Sequence, residues 1–370
     1  MNSMVLPYLL LVTFTAGGMQ PSGAMQQFDS QKLEQINSFP YSGVAVPLVG
    51  LYDTAKHSEQ DFEPSIQLIK LHAHKDIWPW VFMERFVGTP QQPAESQPKY
   101  ARAEYYTKIK GMDIYNQTGA LDDFFNLWRI ALEVAKETGS PGIVLDHEVY
   151  GNPLAYDLDY VAREQGKPKD EVERRLEEIG AKLSDIVDET YPGAVIWCLD
   201  TGLDRITPVR MLNPWAAPDY RTVTYVMEGL LKRAKEEHSQ AIVVSGGEMS
   251  LYYCYQSLTD LRNSVRERNE RLAPALASYP NLRAGAPISP WYDANLRRGW
   301  MLRGKCGSST LRTIDDFKPL ISELLHSYNY VWVYAAGVAP YSPFNPENAA
   351  HYDPAIGDVM SGLRSTGTHR

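Results

Sequence analysis

Two short runs of this sequence carry the side chains that acid–base chemistry needs. Asp146-His147-Glu148 follows the apolar run Gly142–Leu145, and Glu248 follows Ala241–Ser245 across a Gly246-Gly247 pair. Side chains alternate along an extended strand, so Val144, Asp146 and Glu148 share one face and His147 takes the other. Two carboxylates in one partly desolvated mouth raise each other's pKa. One then stays protonated near neutral pH as a general acid while the other stays ionised. Cleavage of a glycosidic bond needs that pair. A protonated acid helps the leaving oxygen depart, and a carboxylate serves as nucleophile or as base for water. Residues of similar character close other apolar runs: Glu84-Arg85, Asp200 with Asp204, Tyr252-Tyr253, Trp291-Tyr292-Asp293, and Trp332 with Tyr334.

Something must bring these runs to one place, and the order of elements supplies it. Short β-rich runs alternate with amphipathic helical ones. Strands are expected at 9–15, 42–49, 77–86 (interrupted by Pro79), 142–148, 194–199, 241–245, 282–288 and 330–334. Helices are expected at 29–38, 63–74, 121–138, 169–190, 222–237, 258–277, after Thr313, and at 354–363. The clearest is 169–190, where Val172, Leu176, Ile179, Leu183 and Ile186 recur at steps of four and three. Strand–helix alternation with right-handed crossovers implies a parallel sheet, and eight units imply closure into a (β/α)8 TIM barrel. The C-terminal ends of all strands then converge on one mouth. Residues 1–370 read as one barrel domain, with a long polar insertion (88–119) after strand three that could cover the cleft.

The first strand is the least settled element. Val5–Ala16 is apolar and Ser22-Gly23-Ala24 fits a signal-peptidase site, which would make 1–24 a leader and the protein secreted or periplasmic. Yet no Lys or Arg precedes Lys32, so the positive n-region is missing. Without this segment only seven strands remain and the barrel stays open, which favours the strand; the location is cytoplasmic if 1–24 is no leader, and the sequence leaves it open.

The rim resembles that of the (β/α)8-barrel glycoside hydrolases. Leu145-Asp146-His147-Glu148 resembles the D-x-E ending of chitinase-type family 18 enzymes, although Val144 stands where the longer motif has an Asp. The resemblance implies Glu148 as general acid, Asp146 orienting it, and Tyr252 and Trp332 as the aromatic partners. Glu248 lies outside that pattern. Carboxylates after strands four and six resemble instead the α-galactosidase-like barrels, with a nucleophile on four and an acid on six. The leading assignment keeps Glu148 as the general acid/base, with Glu248 as the second carboxylate, either nucleophile or base, and Asp146 as the group that tunes Glu148. Asp200 or Glu84 would hydrogen-bond sugar hydroxyls, Trp291, Tyr292, Trp332 and Tyr334 would form stacking platforms, and Arg85 would hold Glu84 or bind an acidic substituent.

Composition narrows the partners. A net charge of -9, spread along the chain, argues against nucleic acid and anionic membranes. No run has the roughly 18 or more apolar residues of a membrane span. Aromatic residues are weighted toward ring-stacking types, with 23 Tyr and 8 Trp against 10 Phe. Cys198, Cys254 and Cys306 are too sparse for a disulfide framework or a zinc site. The eight His are not clustered, so no metal or cofactor is expected. His72-Ala73-His74, the H-x-H of metal-dependent barrel hydrolases, closes a helix at the wrong end of the barrel and reads as a solvated terminus. Asn116-Gln117-Thr118 fits a glycosylation sequon, a triplet frequent by chance. Gly-x-Ser-x-Gly is absent, which disfavours a nucleophile-elbow esterase. The remaining alternatives are a carbohydrate-binding barrel without catalysis and a different barrel hydrolase. The sugar and the oligomeric state are not encoded in any motif.

Overall fold

The structure, a computed structural model, describes residues 8–13, 25, 28–50, 55–83, 86, 112–147, 157–204, 221–251, 253, 255–289, 313–335 and 353–362. Eight parallel strands close into a barrel in sequence order: β1 (Tyr8–Thr13), β2 (Gly43–Pro47), β3 (Asp76–Phe82), β4 (Gly142–Asp146), β5 (Val195–Cys198), β6 (Ile242–Ser245), β7 (Leu282–Ile288) and β8 (Tyr330–Ala335). The expected (β/α)8 TIM barrel is therefore the fold. The disputed N-terminal run is its first strand, paired with β2 and along its whole length with β8, from Tyr8 opposite Tyr330 to Thr13 opposite Ala335.

Around this barrel run α1 (Ser30–Ser38), α2 (Glu63–His72), α3 (Ala120–Thr138), α4 (Leu158–Gln165), α5 (Lys169–Thr190), α6 (Arg221–Glu236), the short turn α7 (Glu248–Leu251), α8 (Leu258–Ser278) and α9 (Ile314–Ser327), with a closing helix at 353–362. Caps set several boundaries. Asp29 accepts from Lys32 N to start α1, and Thr313 accepts from Asp316 N to start α9. Gly139 ends α3 in the left-handed region. The α5 pattern is realised: Val172, Leu176, Ile179, Leu183 and Ile186 are all buried.

Alternation along the strands divides the core in two. Odd or even positions such as Val44, Ile143, Ile196, Val243 and Val331 face the helices. Leu10, Ala45, Trp78, Trp80, Val144, Trp197, Val244 and Trp332 fill the barrel itself. This interior is aromatic. Trp78 meets Trp197 edge-on at 5.8 Å, and Trp197 meets Tyr330 at 5.3 Å. Three such rings fit because a neighbouring strand gives up its side chain: a Cβ on Gly43 would lie 2.8 Å from Trp78 Nε1. At the N-terminal end Tyr8 donates to Asp76 (2.6 Å) and accepts from Trp78 Nε1 (2.7 Å).

Two expectations need correction. Pro79 does not interrupt β3, which runs through it in register with Val46; the ring faces the helices, between the inward Trp78 and Trp80. And α4 occupies a stretch where no helix was expected, capped by Asp157 and by Gly166. His72 ends α2 and is exposed, as is His74, in line with a solvated terminus.

Candidate active site

Of the side chains singled out from sequence, Glu84, Arg85, Glu148, Tyr252, Trp291 and Tyr292 lie outside the described residues, as does the insertion at 88–111. The others are placed at or beside the C-terminal mouth. Asp146 is the last residue of β4, in register with Phe82 of β3, and is fully buried. It follows Val144 at the same parity, and Val144 packs inside the barrel. Its carboxylate therefore belongs to the inner face. His147 is buried at the opposite parity.

Glu248 follows β6 by way of Gly246 and Gly247 and opens α7. The chain is steered here by its neighbours. Gly246 N–H donates to Cys198 O (2.7 Å) and Glu248 N–H to Leu199 O (3.0 Å). Trp332 Nε1 donates to Gly246 O (3.0 Å) from across the barrel. Gly247 sits at φ +74, a conformation that glycine adopts without steric cost. The Glu248 side chain is buried and accepts a hydrogen bond from the Tyr253 hydroxyl. Tyr253 stacks on Tyr334 (4.8 Å between centroids) and meets Trp332 edge-on (5.4 Å). All three rings belong to the barrel interior, so Glu248 reaches the mouth. Ser289 N–H, just past β7, donates to Tyr253 O (3.1 Å) and fixes the turn that carries this ring.

Trp332 is thus placed at the site, but as a support: it is fully buried, under Tyr253 and bonded to Gly246. Tyr334 lies nearer the opening. Asp200 follows Leu199, which packs in the barrel interior one residue past β5. Its carboxylate accepts from Gly202 N–H (2.8 Å), an Asx turn, and is fully buried. Burial first and the Asp200 charge second push the Cys198 thiol well up, so that cysteine is inert. Asp204 is withdrawn from the mouth into a buried ion pair with Arg268 of α8.

Sequence reasoning gave no role to three contributors. Tyr253 was overshadowed by Tyr252, because strand parity says nothing once the chain enters a helical turn. Trp80 and Phe82 carried a usable signal: with Trp78 they alternate on one face of β3. They pack against each other at 5.0 Å near the mouth, beside Asp146. The described mouth therefore combines two buried carboxylates with walls of Trp80, Phe82, Tyr253 and Tyr334. Such walls desolvate the acids and offer flat faces to a ring. Among the described residues no three His, Cys, Asp or Glu side chains converge as a metal site, and no helix is long and apolar enough to cross a membrane.

No family model matches the chain, and no curated protein sequence matches it. Solved structures do match over nearly its whole length. Endo-glycoceramidase II from Rhodococcus sp., in complex with a five-membered iminocyclitol, is 12% identical, with 96% of this chain and 78% of that one covered at a TM-score of 0.50. A GH113 β-mannanase from Alicyclobacillus acidocaldarius is 12% identical, with 98% and 97% covered at a TM-score of 0.46. A sugar phosphate isomerase/epimerase from Parabacteroides distasonis is 11% identical, with 98% and 94% covered at a TM-score of 0.40. At 12% identity the likeness to the endo-glycoceramidase is one of fold alone.

Proposed function

We propose that this barrel is a glycoside hydrolase that cleaves a poly- or oligosaccharide with two carboxylates at its mouth. The observation that carries the proposal is the setting of Glu248. It is buried just past a strand end and hydrogen-bonded by the hydroxyl of a tyrosine whose ring packs against Trp332 and Tyr334. A donated hydrogen bond favours the charged form of a carboxylate. That suits Glu248 to the role of nucleophile or base rather than proton donor. Glu148 is then the general acid, protonating the glycosidic oxygen as the bond to the anomeric carbon breaks. Asp146, two residues before it and on the inner face, keeps Glu148 protonated by its own charge.

The sugar ring would sit between Tyr334, Tyr253 and the Trp80–Phe82 pair, with Trp291 and Tyr292 extending the platform and Glu84 and Arg85 contacting hydroxyls or an acidic substituent. Asp200, closed into its own turn, shapes the rim. Roughly 5–5.5 Å between the Glu148 and Glu248 carboxyls would mean retention of anomeric configuration, and about 6.5–9.5 Å inversion.

The test is turnover on a panel of polysaccharides and aryl glycosides, with Glu148→Gln and Glu248→Gln beside the wild type. Each variant is expected to lose about 10²–10⁴-fold in kcat while still binding the glycan. Loss in Glu148→Gln alone would point to a substrate-assisted route through an N-acetyl group. A wild type that binds a glycan and cleaves nothing would make this a carbohydrate-binding barrel instead.

A further inference from the structure

Behind Glu248 lies a charged network for which acid–base chemistry has no direct use. Arg268, in the middle of α8, is fully buried. Burial disfavours its charge, but Asp204 beside it holds the guanidinium above its usual pKa. All three guanidinium nitrogens donate: to the Asp204 carboxylate, to Gly285 O, and to Ser245 O (2.8 Å) and Ser245 Oγ (3.2 Å). Ser245 and Gly285 belong to β6 and β7, and Asp204 follows β5. One cation from the helical layer therefore ties together the middle of β7, the end of β6 and the segment after β5. The same Asp204 oxygen accepts from Ser250 Oγ (2.7 Å), and Ser250 lies in the turn that Glu248 opens. Gly247 presses onto the cation, for a Cβ there would lie 2.7 Å from the guanidinium carbon.

A buried ion pair is a poor device for stability alone, because desolvating both charges offsets most of their attraction. Its directionality is another matter. A buried guanidinium whose Nε, Nη1 and Nη2 each donate to a different residue restricts the arrangement of the groups around it. Here those groups are the carbonyl before the Gly246-Gly247 elbow, the elbow itself and the turn after it. We infer that Arg268, Asp204 and Ser250 are positioning residues, which together hold the Glu248 carboxylate against the Tyr253 hydroxyl. This rests on the reading of Glu248 as a reacting carboxylate. A displacement of about 1 Å at a reacting group can cost about 10²-fold in rate, so such a scaffold matters at the site it serves.

The experiment follows the Glu248 carboxyl itself, and so needs no substrate. Protein labelled with ¹³C at the glutamate side-chain carboxyl is titrated by NMR, and the Glu248 signal is identified by its absence in Glu248→Gln. Tyr253→Phe sets the reference for a carboxylate that has lost its donor: its midpoint moves upward. Ser250→Ala, which removes one hydroxyl and leaves the ion pair in place, is expected to move the midpoint in the same direction by about 0.5 unit, with little change in Tm. Arg268→Lys, which keeps the charge and loses the fork, is expected to move it at least as far. The inference is overturned if the Ser250→Ala titration superimposes on the wild type while that of Tyr253→Phe moves. The reading of Glu248 as a reacting group fails separately, if Glu248→Gln keeps full turnover on a substrate the wild type cleaves.

Discussion

Tyr253 donates to Glu248 and touches nothing else polar through its hydroxyl in the described structure, so Tyr253→Phe isolates one hydrogen bond. The ring, and with it the contacts to Trp332 and Tyr334, is kept. Losing a donor disfavours the ionised carboxylate, so the acid limb of the kcat/KM profile should move to higher pH and kcat at neutral pH should drop about 10-fold. A profile that overlays the wild type would remove Tyr253 from the site. Asp353 gives a second residue-scale prediction, remote from the mouth. Burial pushes its carboxyl up to about 7, at the start of the closing helix and near Tyr41. In the unfolded chain it titrates near 4. Its contribution to stability is therefore full below about pH 4 and is lost as pH rises through about 7. Asp353→Asn should gain stability relative to wild type across that window and be the more stable protein at pH 8. Urea unfolding at pH 4.5 and 8 checks this, and a gap that does not change with pH refutes it. What could be read from sequence at this scale followed strand parity. Val144 and Asp146 were assigned to one face because alternation is dictated by the extended backbone. Arg268 was hidden in a helix rich in charges, where nothing local marks the one cation that turns inward.

At the scale of elements the apolar stripe of α5 was legible because period and length agree over 22 residues. α4 was missed although Asp157 and Gly166 are ordinary cap residues, because its eight residues hold too few apolar positions to show a period. α7 is shorter still, and its four residues are shaped by β5 and Asp204 rather than by their own preferences. Where α5 and α6 pack, the deciding feature is likewise not a propensity. A Cβ on Gly180 would collide with Val226 O, and one on Gly229 with Glu177 O. In an isolated helix Gly→Ala stabilises by roughly 0.5–1 kcal/mol. At this crossing the backbones must separate to admit a methyl group, which costs about 1–3 kcal/mol. The second effect is the larger, so Gly180→Ala should lower the urea midpoint with the m-value unchanged. A rise in the midpoint would mean that the two helices are free to move apart.

The barrel as a whole depends on a strand whose composition did not identify it. Tyr8, Leu10 and Val12 belong to the barrel interior by parity, and Leu9 packs with the helical layer. A strand covered on both faces reads as a continuous apolar run. So does the hydrophobic stretch of a signal peptide. The two are told apart only by what the rest of the chain requires, and seven further strands require an eighth. In the structure β1 pairs with β8 over six residues and with β2 over three. Its removal would leave the facing backbone groups of both strands unpaired and open the interior beside Trp332 and Tyr334, next to Glu248. The protein truncated to 14–370 should accordingly lose its near-ultraviolet circular dichroism and its cooperative unfolding transition, whatever the substrate proves to be. If that truncated chain instead unfolds cooperatively at the wild-type Tm, closure does not depend on Tyr8–Thr13. The aromatic mouth would then be held by the seven remaining strands and the helices around them.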